Sequence, residues 1–276
     1  MPAIIRSIYR YPVKGLSAEP LTRAVLAAGE TVPGDRLYAI ENGPSGFDPQ
    51  HPAYLSKQHF LMLMKNERLA SLRAAFDHES HVLTVTPRNF YKGEDGARGA
   101  PGADPSLTIA GNLHTAEGRA AIECFFAKFC ADELRGPPKL LHADGHSFSD
   151  VARKVVSFIN LASVSAIVAM LDAPVDPLRF RGNVYVEGWP AWGELDLLGK
   201  ELIVTPSPPA GARSARLKVV KRIVRCAATN VEPSTGIRDL AIPHSLMRAN
   251  GHADCGIYAE VIEGGEIAVG DEIGIG

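Results

Sequence analysis

Cysteine is scarce in this sequence, and the few thiols present do not form a cross-linking or zinc-binding pattern. The chain of 276 residues contains 4 cysteines, which are too few for a disulfide framework in a protein of this length. No two of them form the Cys-x-x-Cys pair that is typical of a structural zinc site. We therefore expect free thiols, so any cysteine chemistry would come from an individual residue.

Long apolar runs and an excess of charge are also missing. No segment approaches the roughly 20 apolar residues that span a bilayer, and the first residues lack the apolar core of a signal peptide. With 29 basic and 31 acidic residues, the net charge is -2, which predicts no binding to nucleic acid or to a membrane surface. We expect a cytoplasmic protein whose ligand is a small molecule.

The signatures of several common enzyme classes are absent. The sequence contains no Gly-x-Ser-x-Gly nucleophile elbow, no phosphate-binding P-loop and no Gly-x-Gly-x-x-Gly segment after a predicted strand. These absences argue against the usual hydrolase, phosphate-transfer and dinucleotide-binding functions.

Alternation of apolar and polar residues is present in two parts of the chain. In the first forty residues, short alternating stretches are separated by Gly and Pro turns, which predicts antiparallel strands. From residue 179 to the end, β-branched stretches are broken by Gly, Pro and Asp turns. That second pattern is typical of a closed or nearly closed β-barrel.

Helical patterns and one loop lie between these β-rich parts. Residues 117–134 carry an apolar stripe at helical spacing, which predicts a helix covering a sheet. Cys124 and Cys130 lie in this helix and are expected to be structural. Residues 155–171 predict a strand followed by a helix, which Ser163 could cap. The Gly-, Pro- and charge-rich residues 89–107 are expected to form a surface loop.

The residues around Cys226 are the most unusual part of the sequence. The segment RIVRCAATNVEPSTG (222–236) places Cys226 at the end of a predicted strand, with Arg222 and Arg225 nearby. Neighbouring cations favour the thiolate, which is the form that acts as a nucleophile or metal ligand. Strand alternation would equally allow burial of Cys226 in a core, and the residues alone leave both interpretations open.

Two further segments concentrate cationic groups. In RFRGN (179–183), Arg179, Arg181 and Asn183 are two residues apart, so they would share one face of a strand. Such a row could bind a phosphate or carboxylate, although a solvated or ion-paired surface is the alternative. In YPVKG (11–15), Lys14 lies in a predicted turn, where a lysine is usually solvated.

These segments, taken in order, resemble those of a known protein family. YPVKG, GDRLYAI (34–40), RFRGN and RCAATNVEPSTG (225–236) resemble MOSC (molybdenum cofactor sulfurase C-terminal) proteins that carry an additional amino-terminal β domain. This group includes the mitochondrial amidoxime-reducing component and its bacterial relatives. The resemblance implies a mainly β fold with some helices (α+β). It also implies an amino-terminal β-rich domain over residues 1–120 and a MOSC-type β-barrel over residues 121–276.

The resemblance further implies a site for a cofactor. In the family, the cysteine of the Arg-Cys-x-x-Thr segment coordinates molybdenum, so Cys226 is the expected metal ligand and catalytic residue. The molybdenum cofactor (Mo-molybdopterin) is anionic, and its pocket needs fixed cations and hydrogen-bond donors. The expected cofactor-binding residues are Lys14, Arg36, Ser163, Arg181, Asn183, Arg225 and Cys226. One departure is Gly15, because relatives of the amidoxime-reducing type often carry Ser at this position.

The function that the resemblance implies is reduction of a small N-hydroxylated substrate by a molybdenum-dependent oxidoreductase. Without a dinucleotide fingerprint or enough cysteines for an additional iron–sulfur cluster, the chain is expected to receive electrons from a separate electron-transfer protein. One alternative is a sulfur-transfer or cofactor-handling protein. Another is a non-catalytic module that binds an anionic metabolite in the same basic pocket.

Overall fold

The computed structural model describes residues 2–88, 108–206 and 213–276. The loop predicted over residues 89–107 lies outside these residues. The α-helices are α1 (Ala116–Phe129), α2 (Leu161–Leu171) and α3 (Ile242–Asn250). The strands are β1 (Ala3–Arg10), β2 (Glu19–Leu21), β3 (Arg23–Leu26), β4 (Ala39–Asn42), β5 (Leu72–Asp77), β6 (Val82–Pro87), β7 (Ile109–Asn112), β8 (Pro138–Leu141), β9 (Val156–Asn160), β10 (Val184–Glu187), β11 (Glu201–Thr205), β12 (Ala215–Val224), β13 (Asp254–Glu263), β14 (Gly265–Ala268) and β15 (Glu272–Ile275).

A seven-stranded barrel forms the larger part of the fold. Its strands pair in the order β10, β9, β13, β12, β11, β15 and β1, and β1 pairs again with β10 to close the ring. Only the β9–β10 pair is parallel, and α2 makes the crossover that this pairing requires. Alternate residues point inwards, so Ile5, Phe158 and Leu217 are fully buried in the barrel core.

A smaller β-rich part packs beside the barrel. It contains the three-stranded sheet β5-β6-β7 and the two-stranded pair β4–β8. Helix α1 covers these strands, with Ile122 and Phe126 buried in a second core. Thr115 caps the start of α1 by accepting a hydrogen bond from the Gly118 amide. The predicted helix is therefore present, and it ends at Phe129.

The predicted fold class is confirmed, because the protein is mainly β with a few helices and contains a β-barrel. The chain is nevertheless organised differently from the expected division at residue 120. That boundary falls inside α1, and strand β1 closes the barrel of the carboxyl-terminal part. The sequence gives no local signal for the pairing of β1 with β10 and β15, because the paired residues are far apart in the chain. The expected division therefore missed it.

The start of α2 differs from the expectation in one detail. The helix cap is Asn160, whose side chain accepts a hydrogen bond from the Ala162 amide. Ser163 lies within the first turn instead. Within the three described ranges, none of the helices has the length and apolar character that crossing a membrane requires.

Candidate functional site

A cavity of about 210 Å³ lies where the end of β12 meets the amino-terminal part of the chain. One acidic residue, Asp150, lines it. The basic residues that line it are Lys14, Arg36, Lys57, Arg179, Arg181, Lys221, Arg222 and Arg225. This imbalance is local, since the whole chain is nearly neutral. A wall with such an excess of cations suits an anionic ligand.

Cys226 is the cysteine that lines this cavity. It follows β12 and precedes a 3-10 helix, Ala227–Asn230, and its side chain is half-buried. The Nζ atom of Lys57 lies 3.4 Å from the Cys226 Sγ atom. The structure thus places a thiol next to a fixed positive charge, an environment that is typical of reactive and metal-binding cysteines.

Two arginines of the site pack on a buried tyrosine. The guanidinium carbon of Arg36 lies 5.1 Å from the centre of the Tyr11 ring, and that of Arg181 lies 4.3 Å from it. Both distances fall within the range of cation–π contacts. Burial raises the pKa of Tyr11 to about 12, so its ring stays an uncharged phenol. The aromatic residue of the YPVKG segment therefore positions two cations that would otherwise repel each other.

Backbone conformation points to the same pair of arginines. Arg36 has a φ of 54° and Arg181 a φ of 50°, both in the left-handed region. A residue with a side chain is held there at a cost of order 1 kcal/mol, and such strain clusters at functional sites. The surrounding hydrogen bonds maintain it, since Arg181 donates to the Leu16 carbonyl at 2.8 Å and Arg36 donates to the Arg181 carbonyl at 3.3 Å.

Lys14 is buried and ion-paired, whereas a lysine in a turn would usually be solvated. Its Nζ atom lies 2.5 Å from the Asp150 carboxylate and donates to the Phe148 carbonyl at 2.8 Å. Burial lowers the pKa of Lys14, and the Asp150 charge opposes this shift. Desolvation disfavours the charged form of Asp150, but the Lys14 and Arg36 cations outweigh it and hold the pKa of Asp150 well below its usual range. Asp150 therefore stays ionised and offsets part of the positive charge.

The structure brings Lys14, Arg36, Arg181, Arg225 and Cys226 together at the cavity. The guanidinium of Arg225, however, is engaged behind the wall, where it donates to the Cys255 carbonyl through Nε at 2.6 Å and to the Phe180 carbonyl at 2.8 Å. Its role in this geometry is to hold the backbone that precedes Cys226.

Ser163 and Asn183, which were expected to bind the cofactor, do not line the cavity. The Ser163 hydroxyl donates to the buried Glu194 carboxylate at 2.8 Å and accepts from the Trp192 amide at 2.8 Å. The Asn183 side-chain oxygen accepts from the Ser157 hydroxyl at 2.7 Å. Asn183 therefore contacts the cavity only indirectly, because it positions Ser157, which lines the cavity.

The predicted shared face of Arg179, Arg181 and Asn183 is also absent. Arg179 belongs to a 3-10 helix, Pro177–Phe180, and Arg181 has left-handed backbone geometry, so no strand contains all three residues. Arg179 donates to both Asp239 oxygens and to Glu232. Its charge is therefore paired, but Arg179 is buried and does not form the solvated or ion-paired surface that was the alternative.

Sequence reasoning missed four residues of the site, which are Tyr11, Lys57, Asp150 and Tyr258. Tyr11 stands in a segment that was singled out for its lysine, and its aromatic ring next to two arginines could have been noticed only from the fold. Lys57 is 169 positions from Cys226 in the chain, so no spacing could have linked them. Asp150 and Tyr258 carry no motif of their own.

The other cysteines have different environments. Cys130 and Cys255 are buried, and burial raises the pKa of each thiol to about 12. Both therefore remain protonated and inert at neutral pH. Cys124 is exposed on α1 and does not line the cavity, which makes it a suitable control for Cys226.

Gly15 provides a test of the turn that carries Lys14. Its φ is +85°, and a Cβ atom there would lie 2.9 Å from the Leu61 carbonyl oxygen. We expect Gly15→Ser to lower the free energy of unfolding by about 1 to 3 kcal/mol, because both backbone strain and a steric clash result. Thermal unfolding measures this effect.

Gly29 is the matched control for that substitution. Its φ is +74°, but nothing lies within 4 Å of a Cβ atom placed there. Gly29→Ser should therefore show only the backbone strain and a smaller loss of stability. Equal melting temperatures for the two variants would contradict a steric requirement for glycine at position 15.

The donor set of the site limits the kind of metal it could hold. Across the residues that the structure describes, no group of three or more His, Cys, Asp or Glu side chains could hold a metal ion. A metal at Cys226 would therefore need ligands that come with a cofactor. A single thiol beside fixed cations fits a metal whose other ligands belong to an anionic organic group.

Comparison with protein families agrees with this chemistry. A family model described as the MOSC N-terminal beta barrel domain matches residues 2–132, and one described as the MOSC domain matches residues 143–274. The chain belongs to the MOSC domain family. MOSC domains are associated with binding of the molybdenum cofactor, and the thiol and cations of this MOSC protein fit that group.

The two family matches meet between residues 132 and 143, beyond the end of α1. No curated protein matches the chain. Among solved structures, a crystal structure of the YUAD protein from Bacillus subtilis is similar, with 16% sequence identity and a TM-score of 0.42. The similarity covers 100% of this chain and 96% of that chain.

Proposed function

We propose that this MOSC protein is a molybdenum-cofactor-dependent oxidoreductase that reduces small N-hydroxylated compounds. The observation that carries the proposal is the position of Cys226, a half-buried thiol 3.4 Å from the Lys57 ammonium group in a cavity lined mainly by cations. When bound, the cofactor supplies two-electron redox chemistry at molybdenum. The protein supplies binding, orientation and electrostatics.

Each residue of the site has a role in this proposal. The Cys226 thiolate holds the metal. Arg36 and Arg181, whose guanidinium groups are oriented by Tyr11, bind anionic oxygens of the cofactor, for which their planar donors are suited. Lys14 adds charge but is already paired with Asp150, so it contributes less net attraction than either arginine.

The overall reaction breaks the N–O bond of the substrate. The reaction takes up two electrons and two protons: one proton forms a new N–H bond on the product, and the other joins the hydroxyl oxygen, which leaves as water. The electrons come from a separate electron-transfer protein in this proposal. Neither the buried, protonated Cys130 and Cys255 nor the isolated, exposed Cys124 offers a cluster site for relaying them.

The choice of electron donor tests the proposal. Purified protein should contain molybdenum and pterin, and it should reduce a model amidoxime with a chemical dye as donor. We expect no turnover with NADH alone, because the sequence has no dinucleotide-binding fingerprint. The assay compares initial rates with the two donors under identical conditions.

Three outcomes are informative. Rapid NADH-driven turnover by the isolated chain would contradict the need for a separate donor. Full molybdenum loading without turnover by any donor would favour cofactor handling or sulfur transfer. A protein that never acquires molybdenum, even when the cofactor is supplied, would favour the anion-binding module.

A further inference from the structure

A second cavity of about 450 Å³ adjoins the Cys226 site. The two cavities share four wall residues, which are Asp150, Val151, Lys221 and Tyr258. Lys221 on β12 and Tyr258 on β13 are direct cross-strand partners, so their side chains lie on the same face of the barrel. A ligand that extends from the second cavity into the Cys226 cavity would therefore lie along the wall that contains these two side chains.

The charges in the second cavity are paired, with one exception. Asp150 is paired with Lys14 at 2.5 Å, and Arg153 donates to Glu260 at 3.0 Å. The ammonium group of Lys221 has neither a hydrogen bond nor an ion pair with another residue in the described part of the chain. The second cavity therefore has one uncompensated positive charge at its junction with the site.

Lys221 differs in position from the arginines that are proposed to bind the cofactor. Arg36 and Arg181 are buried together on Tyr11, at the inner part of the site, whereas Lys221 is exposed at the junction. Lys57 lies beside the Cys226 sulfur and lines the first cavity but not the second. A neutral or cationic substrate would leave the Lys221 charge without a partner, whereas an anionic one would pair with it.

We propose that Lys221 is a specificity-determining residue that selects substrates carrying a carboxylate. The reducible N–O group would lie near Cys226, and the carboxylate would lie in the second cavity against the Lys221 ammonium group. This inference rests on the proposed function for the reaction itself, but the preference for an anionic ligand can be measured without turnover.

Three related probes test the charge preference with the cofactor-loaded protein and a dye donor. They are benzamidoxime, its 4-carboxylate and its 4-trimethylammonium derivative. We expect kcat/KM to be about two- to fivefold higher for the carboxylate than for the neutral compound, the range of an exposed ion pair. The cationic probe should be the poorest substrate. The preference should weaken as salt is added.

Substitution of Lys221 assigns the preference to one residue. Lys221→Gln should raise the KM of the carboxylate to that of the neutral probe, so that the two probes have equal kcat/KM. Lys218→Gln is the matched control, because Lys218 is exposed on the same strand and lines neither cavity. A preference that survives Lys221→Gln, or that Lys218→Gln removes equally, would overturn the inference.

Equilibrium binding separates this inference from the proposed function. 4-Carbamoylbenzoate and benzamide contain no N–O bond, so their affinities do not depend on turnover. Tighter binding of the carboxylate that is lost in Lys221→Gln, without reduction of any probe, would support the anion preference and contradict the reductase function. Turnover of all three probes at equal kcat/KM, with equal affinities in calorimetry, would support the reductase function and refute the anion preference.

Discussion

Replacing Cys226 by alanine should remove most of the bound molybdenum and lower turnover at least about a hundredfold. Loss of a residue that only supports a metal ligand typically lowers metal affinity or activity about 10- to 100-fold. Cys226→Ala removes a direct ligand, so a larger effect is expected. The fold should survive, because the side chain is half-buried and follows the end of β12. Molybdenum content per chain, dye-driven turnover and thermal unfolding are the three measurements.

Cys124→Ala is the control for this experiment. Cys124 is exposed on α1 and contributes nothing to the cavity wall, so the variant should keep both metal and activity. Normal molybdenum binding and turnover by Cys226→Ala would show that the ligand assignment is wrong. Loss of both properties in Cys124→Ala would show that they depend on general thiol chemistry rather than on the site.

Removing the amino-terminal part should unfold the remaining MOSC portion as well as remove its cofactor. A fragment of residues 133–276 lacks β1, which pairs with both β10 and β15 and closes the barrel. Ile5 and Ile8 on β1 are buried in the barrel, and loss of two such side chains costs roughly 4 to 10 kcal/mol. That amount is comparable with the whole stability of a domain. We expect no cooperative thermal transition for this fragment.

The barrel geometry offers a repair that separates folding from cofactor binding. Ala3 is paired with Ile273 and Ile4 with Glu272, so residues 2–10 can be attached behind residue 276 through a short glycine-rich turn. The grafted fragment should regain cooperative unfolding because the ring can close. It should still bind no molybdenum cofactor, because Lys14, Arg36 and Lys57 are missing.

Full cofactor retention by the fragment without the graft would contradict a site built from both parts of the chain. Cofactor binding by the grafted fragment would show that the residues after 132 suffice once the barrel is closed. Either result would show that Lys14 and Arg36 are not required for cofactor binding.

Local patterns determined much of the fold class. Alternation and turn residues indicated strands near both ends of the chain, and the apolar stripe over residues 117–134 indicated α1. These features depend on neighbours within a few positions, which is why the sequence alone was enough to predict them. The closure of the barrel by β1 was not predictable in this way, since Ile4 and Glu187 pair across the length of the chain.

The sequence also determined which segments line the candidate site, because the ordered motifs around Lys14, Arg36, Arg181 and Cys226 resemble those of MOSC proteins. Tertiary structure decided which side chains of those motifs face the cavity. Ser163 and Asn183 form hydrogen bonds with buried partners and do not line the cavity. Long-range packing brings Lys57 next to Cys226. A motif specifies residue types along the chain, whereas the direction and charge environment of a side chain depend on neighbours that only folding supplies.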